Sequence, residues 1–245
     1  MGNSSSSSSS ETLLIIPTYN EAGNIEPLIR EIHEQGLGLD LLIIDDCSPD
    51  GTGDVAERLS REIPLRVIHR ERKGGIGSAQ KLGFRHAIEH RYRYAITMDG
   101  DFAHSPRYLR DLLAGAAAGA DVVVGSRYIR GGGLSGWGIH RVILTRAAHW
   151  LTRHLLELPY DMTGGFRLYR VSVLAAVDLD AVRSDGYAFL TEILFRIARA
   201  GFSIREIPIV IPSRHLGRSK ISRVEILRAA RTLFRLALQR TGSRG

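Results

Sequence analysis

Two aspartates stand one residue apart at Asp99-Gly100-Asp101, directly after the apolar run Ala95–Met98. Carboxylates so spaced at a strand end can share one hard divalent cation, since Mg²⁺ is usually held by one or two carboxylates plus substrate phosphates. The same residues also suit a plain Asp-Gly turn. A second acidic pair, Asp45-Asp46, closes the apolar run Leu39–Ile44. A carboxylate there can accept hydrogen bonds from a ribose or a base, or simply cap a turn. Lys73-Gly74-Gly75-Ile76-Gly77 looks like a phosphate loop that could approach a substrate at a helix start. It is neither a Walker A motif nor a full dinucleotide fingerprint. Gln80 stands where the last glycine would be, and the loop does not follow the first strand. Arg214 and Lys220 flank a segment containing Gly217. Such a loop can close over a pyrophosphate, Arg forking onto oxygens and Lys acting as a point charge; its plainer reading is a solvated charge run. His86 and His90, with Glu89 between them, fit an inverted zinc-protease pattern, but Arg85 and Arg91 flank them and the segment reads as a solvated helix face.

The elements that position these residues follow from apolar periodicity. Leu13–Ile16, Leu39–Ile44, Leu65–His69, Tyr94–Met98 and Asp121–Gly125 are short runs read as strands. Helical spacing fills the intervals, over about 24–35, 53–62 and 79–90, with another helix opened by Pro106. Strands alternating with helices predict a mostly parallel α/β sheet with helices on both faces. In such sheets ligands bind beyond the carboxyl ends of the strands. Polar segments stand at four of those ends: Pro17–Glu21, Asp45–Gly51, Asp99–His104 and Gly125–Tyr128. The second half is less regular. Helices are expected over 140–157, 187–200 and 222–240, and Ile207–Ile211 reads as an edge strand because Pro208 interrupts it.

Composition narrows the classes. A chain of 245 residues, 44% hydrophobic and 24% charged, is an ordinary globular protein rather than a fibrous or disordered one. Residues 1–10, rich in serine, are expected to be a disordered tail, and 11–245 one domain. The start fits a loose myristoylation pattern at Gly2 and Ser6, but a serine tract is the plainer reading, and no secretory signal is evident. No run of about 18 apolar residues occurs. The single cysteine, Cys47, excludes an internal disulfide. A net charge of +7 suggests an anionic partner: nucleic acid, a phosphorylated substrate or an anionic membrane. Five arginines on 222–240, beside Leu227, Phe234 and Leu238, suit a membrane surface, and equally a core-packed helix with a charged outer face.

Taken together, these residues resemble family 2 glycosyltransferases, and within them the dolichol-phosphate (polyprenol-phosphate) mannosyltransferases. The resemblance runs through IPTYNEAGNI at 16–25, IIDDCSPDGT at 43–52, KGGIGSAQKLGF at 73–84, MDGDFAHSP at 98–106 and GSRYIRGG at 125–132. It continues through DMTGGFRLYR at 161–170, GYAFLTEILFR at 186–196 and SRHLGRSKIS at 213–222. It implies a GT-A, Rossmann-like fold and transfer of mannose from GDP-mannose to a polyprenol or dolichol phosphate. Pro17, Tyr19, Glu21, Ile43 and Asp45 would hold the nucleotide. Asp99 and Asp101 would hold Mg²⁺ or Mn²⁺, with Gly100 allowing close approach. Arg127, Arg214 and Lys220 would contact donor or acceptor phosphate. Two positions depart from the family pattern: Ala103 stands where a Gln is common, and Gly164 where TSGFR has its Ser.

The resemblance further implies a cytoplasmic protein, peripheral on the cytosolic face of a membrane. It would reach its lipid acceptor through amphipathic segments or a membrane-anchoring partner subunit. The same fold could instead use UDP-glucose or another nucleotide sugar. A basic nucleic-acid-binding module is disfavoured, because no usual motif is present and acidic strand ends would repel phosphate without a metal. No nucleic acid is therefore expected among the partners.

Overall fold

The computed structural model describes residues 10–213 and 223–241. Residues 1–9 of the serine-rich start, and Arg214 and Lys220, lie outside them.

Two neighbouring strands set the architecture. Strands β1 (Thr12–Thr18) and β2 (Asp40–Asp45) pair in parallel, Leu14 opposite Leu41 and Thr18 opposite Asp45. Successive side chains of a strand point to opposite faces. Leu13 and Ile15 accordingly enter one apolar cluster with Leu42 and Ile44, and Leu14 and Ile16 enter a second with Leu41 and Ile43. A strand buried on both faces has no polar alternation, and helices must cover both sides. Helix α1 (Ala22–Glu34) does so with Ile25, Leu28, Ile29 and Ile32, at helical spacing. Helix α2 (Thr52–Leu59) follows β2, then β3 (Leu65–His69), α3 (Ile76–Glu89) and β4 (Tyr94–Thr97). The Pro106 turn is a short 3-10 segment leading into α4 (Leu109–Ala117) and β5 (Val122–Ser126).

The second half departs from the expected pattern in one strand. Segment β7 (Arg167–Arg170) lies antiparallel between β4 and β5, in the middle of a seven-stranded sheet of order β3-β2-β1-β4-β7-β5-β8. Its arginines disguise it. Arg167 is wholly buried, and its guanidinium donates to the carbonyls of Leu190 (2.7 Å) and Met162 (2.8 Å). The expected strand at 207–211 is two strands. The first, β8 (Ile204–Pro208), is the sheet edge and ends at Pro208. The second, β9 (Val210–Pro212), pairs with β6 (Gly133–Ser135) in a separate two-stranded ladder. The remaining helices are α5 (Ile139–Leu156), α6 (Val171–Ala176), α7 (Ala188–Arg199) and α8 (Arg223–Thr241). Helix α8 packs on α5 and α7.

Among the described residues, every large hydrophobic side chain that is exposed lies on α5 or α8. Ile139, Ile143, Leu144, Trp150, Leu151 and Leu155 stand on α5, and Leu227, Phe234 and Leu238 on α8. The sequence alternatives for the last helix therefore combine: Thr232 and Leu236 are buried, while its apolar stripe faces out. No helix among the described residues is long and apolar enough to cross a membrane.

Candidate active site

The carboxyl ends of β1, β2 and β4 open on a cavity of about 390 Å³, within the range of small-molecule sites. Pro17, Tyr19 and Glu21 line it from β1, and Asp99, Gly100 and Asp101 from β4. Glycine is favoured at position 100 because a Cβ would sit 3.2 Å from Thr18 Cγ2. Asp101 Oδ1 accepts the Ala103 amide at 3.0 Å, which fixes the turn. The Asp99 amide donates to His104 Nδ1 at 3.1 Å. That nitrogen is therefore an acceptor, and burial pushes the His104 pKa below its ordinary value. A neutral His104 leaves the neighbouring carboxylate charge intact.

Ile43 and Asp45 sit behind the cavity wall. Ile43 is wholly buried in the sheet core. Asp45 accepts from the Thr18 hydroxyl (3.2 Å), the Ser48 amide (3.0 Å) and the Ser48 hydroxyl (2.5 Å), so it holds the turn after β2. The carboxylate on the cavity is the next one, Asp46. Asp46 is paired with Arg70 at 2.6 Å and accepts the amides of Gly74 (2.9 Å) and Gly75 (2.7 Å). The glycine loop thus gives its first amides to Asp46 rather than to a ligand. Gly75 has φ +82°, which L side chains rarely adopt, and it starts α3 at the cavity. The loop presents Lys73, whose Nζ lies 3.5 Å from the centre of the Tyr19 ring. From α7's approach, Gly186 and Tyr187 complete the lining.

Arg127, just past β5, is set by Asp161. Its Nε and Nη2 donate to the two oxygens of Asp161 at 2.9 and 2.8 Å, and Nη2 also to Thr163 Oγ1 at 2.6 Å. Burial alone would raise the Asp161 pKa; the Arg127 charge and its hydrogen bonds outweigh burial and hold it at about 2. The Asp161 loop reaches the acidic turn: Thr97 Oγ1 donates to the Gly165 carbonyl at 2.7 Å, and a Cβ on Gly165 would lie 3.5 Å from Asp99 Oδ1. Gly164, at the departure from TSGFR, donates its amide to Asp161 at 3.1 Å. Its missing Cβ would sit 3.3 Å from the Gly125 carbonyl, a tight fit for serine.

Among the described residues the lining carries four carboxylates, Glu21, Asp46, Asp99 and Asp101, and one lysine, Lys73. The donor set is all oxygen, and no group of three or more His, Cys, Asp or Glu that could hold a metal occurs among the described residues. Two aspartates beside a cavity open to phosphate oxygens fit Mg²⁺ or Mn²⁺, not a closed structural zinc site. The His86 and His90 rings merely stack at 3.9 Å.

Comparison with known proteins decides the family. The Glycosyl transferase family 2 profile matches residues 13–177. The polyprenol monophosphomannose synthase of Mycolicibacterium smegmatis is 40% identical over 92% of this chain and 85% of its own length. This chain belongs to glycosyltransferase family 2. A second relative in the family, the undecaprenyl-phosphate mannosyltransferase of Micrococcus luteus, is 42% identical over 86% of this chain and 87% of its own. The family 2 fold here is GT-A, as the solved structures agree. Glucosyl-3-phosphoglycerate synthase from Mycobacterium tuberculosis, solved with Mn²⁺, UDP and glucosyl-3-phosphoglycerate, superposes with a TM-score of 0.66 at 19% identity, over 94% of this chain and 80% of that one. Mannosyl-3-phosphoglycerate synthase from Rubrobacter xylanophilus gives 0.64 at 18%, over 96% and 74%.

The structure brings together most of the residues singled out in the sequence: Pro17, Tyr19, Glu21, Asp99, Gly100 and Asp101. Asp46 and Tyr187 join them without having been selected. For Asp46 the signal was the Asp45-Asp46 pair itself, whose orientation only the turn decides. Asp161 opens the DMTGGFRLYR segment, but an aspartate in an irregular stretch has no periodicity to show that it fixes Arg127.

Proposed function

We propose that this glycosyltransferase moves mannose from GDP-mannose to a polyprenol-type monophosphate, with inversion, at a membrane surface. The acidic cavity at the strand ends carries the reading. Among the described residues the lining sets Glu21, Asp99 and Asp101, beside an Asp46 already paired with Arg70, against Lys73, an imbalance that a divalent cation arriving with the diphosphate would offset. Asp99 and Asp101 would hold Mg²⁺ or Mn²⁺, which supplies positive charge for the leaving diphosphate when bound. Tyr19, Glu21 and Pro17 would seat the nucleoside; Asp45 acts by fixing the turn and Ile43 by supporting the wall. Arg127 Nη1 has no partner among the described residues, so it can contact phosphate while Asp161 fixes the rest of the guanidinium. Arg214 and Lys220 are assigned to the phosphates from the motif alone.

The chemistry needs little more from the chain. A phosphate monoester has a second pKa near about 6 and is a ready nucleophile at neutral pH, so no protein base is required. The acceptor oxygen attacks the sugar C1 as the C1–O bond to GDP breaks. An α-linked donor then gives a β-linked product in one displacement, without a sugar–enzyme intermediate. The residues position both anions and neutralise the leaving one.

The lipid substrate explains the paired helices α5 and α8. Their nine exposed apolar side chains make a surface that a water-soluble protein rarely leaves bare. We assign it to shallow insertion in the membrane, 11–245 acting as one catalytic unit. The test is transfer from GDP-mannose and, in parallel, UDP-glucose to a polyprenyl phosphate with Mg²⁺ or Mn²⁺, with the product's anomeric configuration read by NMR. Mannose transfer with a β-linked product is expected. Preferred transfer from UDP-glucose would give the fold another donor, and an α-linked product would end the single-displacement reading.

A further inference from the structure

A second cavity, of about 370 Å³, opens between α8 and the segment leading into α7. Among the described residues, Arg183, Arg228, Arg231 and Arg235 line it with one carboxylate, Asp185. Its floor carries two buried hydroxyls, Ser184 and Thr232, whose oxygens lie 3.1 Å apart. Arg235 is held in place: it donates to Ser184 Oγ at 3.0 Å and to the buried Glu192 at 2.5 Å. Glu192 also takes Arg196 at 3.1 Å, so it is already shared between two cations. The Ser184 hydroxyl donates to Glu192, so Ser184 and Glu192 together fix Arg235, and Arg183, Arg228 and Arg231 line the same cavity; grouped guanidinium groups suit the oxygens of a phosphate.

This cavity lies back to back with the first. Along one short stretch, Arg183, Ser184 and Asp185 face the arginine cavity, while Gly186 and Tyr187 face the acidic one. It also borders the apolar stripe. On a helix of 3.6 residues per turn, Leu227, Phe234 and Leu238 form one row, and Arg231, Arg235 and Arg228 stand beside it. All three apolar side chains are exposed. An occupant that satisfies both rows carries a phosphate and hydrocarbon on one molecule.

We propose that the arginine cavity binds the headgroup phosphate of an anionic membrane phospholipid, which is neither the sugar donor nor the acceptor. This rests on the membrane reading above and deepens it. It differs from diffuse attraction to a charged surface. A built site saturates, depends on the arginines that line it, and is indifferent to a nucleotide in the other cavity.

The test uses a short-chain phosphatidylglycerol kept below its micelle concentration, titrated into the full chain with a thermal-shift or calorimetric readout. Saturable binding is expected, unaffected by saturating GDP with Mn²⁺. Arg228→Gln combined with Arg231→Gln should weaken it about tenfold or more, the scale of losing one charge-assisted contact. Arg146→Gln, which removes an exposed arginine on α5 outside the cavity, should change it less than about twofold. GDP competition would move the site to the donor cavity and overturn the proposal. Equal losses in all variants, or the absence of saturation, would overturn it too. Inorganic phosphate binding as tightly as the lipid would make the ligand a soluble anion and refute the lipid assignment. Vesicle binding is measured separately. Saturable lipid binding without attachment to anionic vesicles would sink the membrane reading and leave the site, whereas attachment without saturable binding would do the reverse.

Discussion

The Arg127–Asp161 pair offers a stability effect that can be worked out in advance. Asp161 is fully buried and its pKa is held at about 2 against an ordinary 3.8. At about 1.4 kcal/mol per tenfold change, that depression corresponds to about 2 kcal/mol of stability. The pKa is lowered in the folded state, so the stabilisation is present above about pH 4 and is lost as pH falls toward 2. Asp161→Asn removes the charge and leaves Arg127, itself largely buried, without its counter-ion. Breaking one side of a buried pair costs about 3–5 kcal/mol. Urea unfolding of wild type and Asp161→Asn at neutral pH should show a gap of that size. The gap should narrow by about 2 kcal/mol between about pH 5 and pH 2, because protonation makes the wild type resemble the variant. Taking the difference matters. Asp50 and Asp121 also have lowered pKa values, Asp50 because bonds from Thr52 and Ala22 outweigh burial, Asp121 through bonds from Ser203, and they titrate alike in both proteins. Adding Arg127→Met to Asp161→Asn should recover part of the loss, since no buried charge then remains unpaired. A pH-independent gap, or a double variant less stable than Asp161→Asn by the full cost of a second deletion, would refute the account.

Other expectations follow from single contacts. Asp101→Asn should keep the fold and bind Mn²⁺ in the presence of GDP at least about tenfold more weakly by calorimetry, one charged contact being worth at least about 1.4 kcal/mol; unchanged affinity would remove Asp101 from the metal site. Gly83→Val should cost about 1–3 kcal/mol, because even a Cβ there would lie 2.5 Å from Ile15 Cγ2 in the core; an unshifted unfolding midpoint would contradict that packing. Trp150→Ser together with Phe234→Ser should reduce vesicle binding at high salt, where charge is screened, and leave calorimetric GDP binding intact. Vesicle binding equal to wild type would exclude insertion by these two side chains.

The parallel half of the fold was legible because its strands are unbroken apolar runs with polar ends. Leu13–Ile16 and Leu39–Ile44 admit few other readings, and their ends located the cavity before any side chain was placed. β7 was not legible. Four residues with arginine at both ends carry no strand signature, and the Arg167 guanidinium donates to the carbonyls of Met162, five residues before it, and Leu190, from a separate element. The Asp45-Asp46 pair failed more subtly. Both carboxylates sit at the correct strand end, but Ser48 and Thr18 turn Asp45 inward and leave Asp46 at the cavity. Side-chain bonding within the turn decides that choice, and strand periodicity does not extend into a turn.

The distribution of charge follows from the order in which the reaction must bind its parts. Among the described residues, Glu21, Asp99 and Asp101 line the cavity with Asp46, which is paired with Arg70, so under the proposed function a diphosphate would enter together with a cation. The fixed positive charge stands off to one side. Arg127 is anchored by Asp161 on the loop that also touches the acidic turn, and Lys73 lies over Tyr19 on the other wall. In the role proposed for Arg127, a preorganised guanidinium would cost little reorganisation as charge develops on the leaving group, which a mobile surface lysine could not match. Burying Arg127 requires Asp161, and burying Asp161 requires the Thr163 and Gly164 amides that donate to it. Gly164 also has little room for a side chain beside Gly125. The departure from TSGFR at this position therefore preserves the amide that matters and gives up only a hydroxyl.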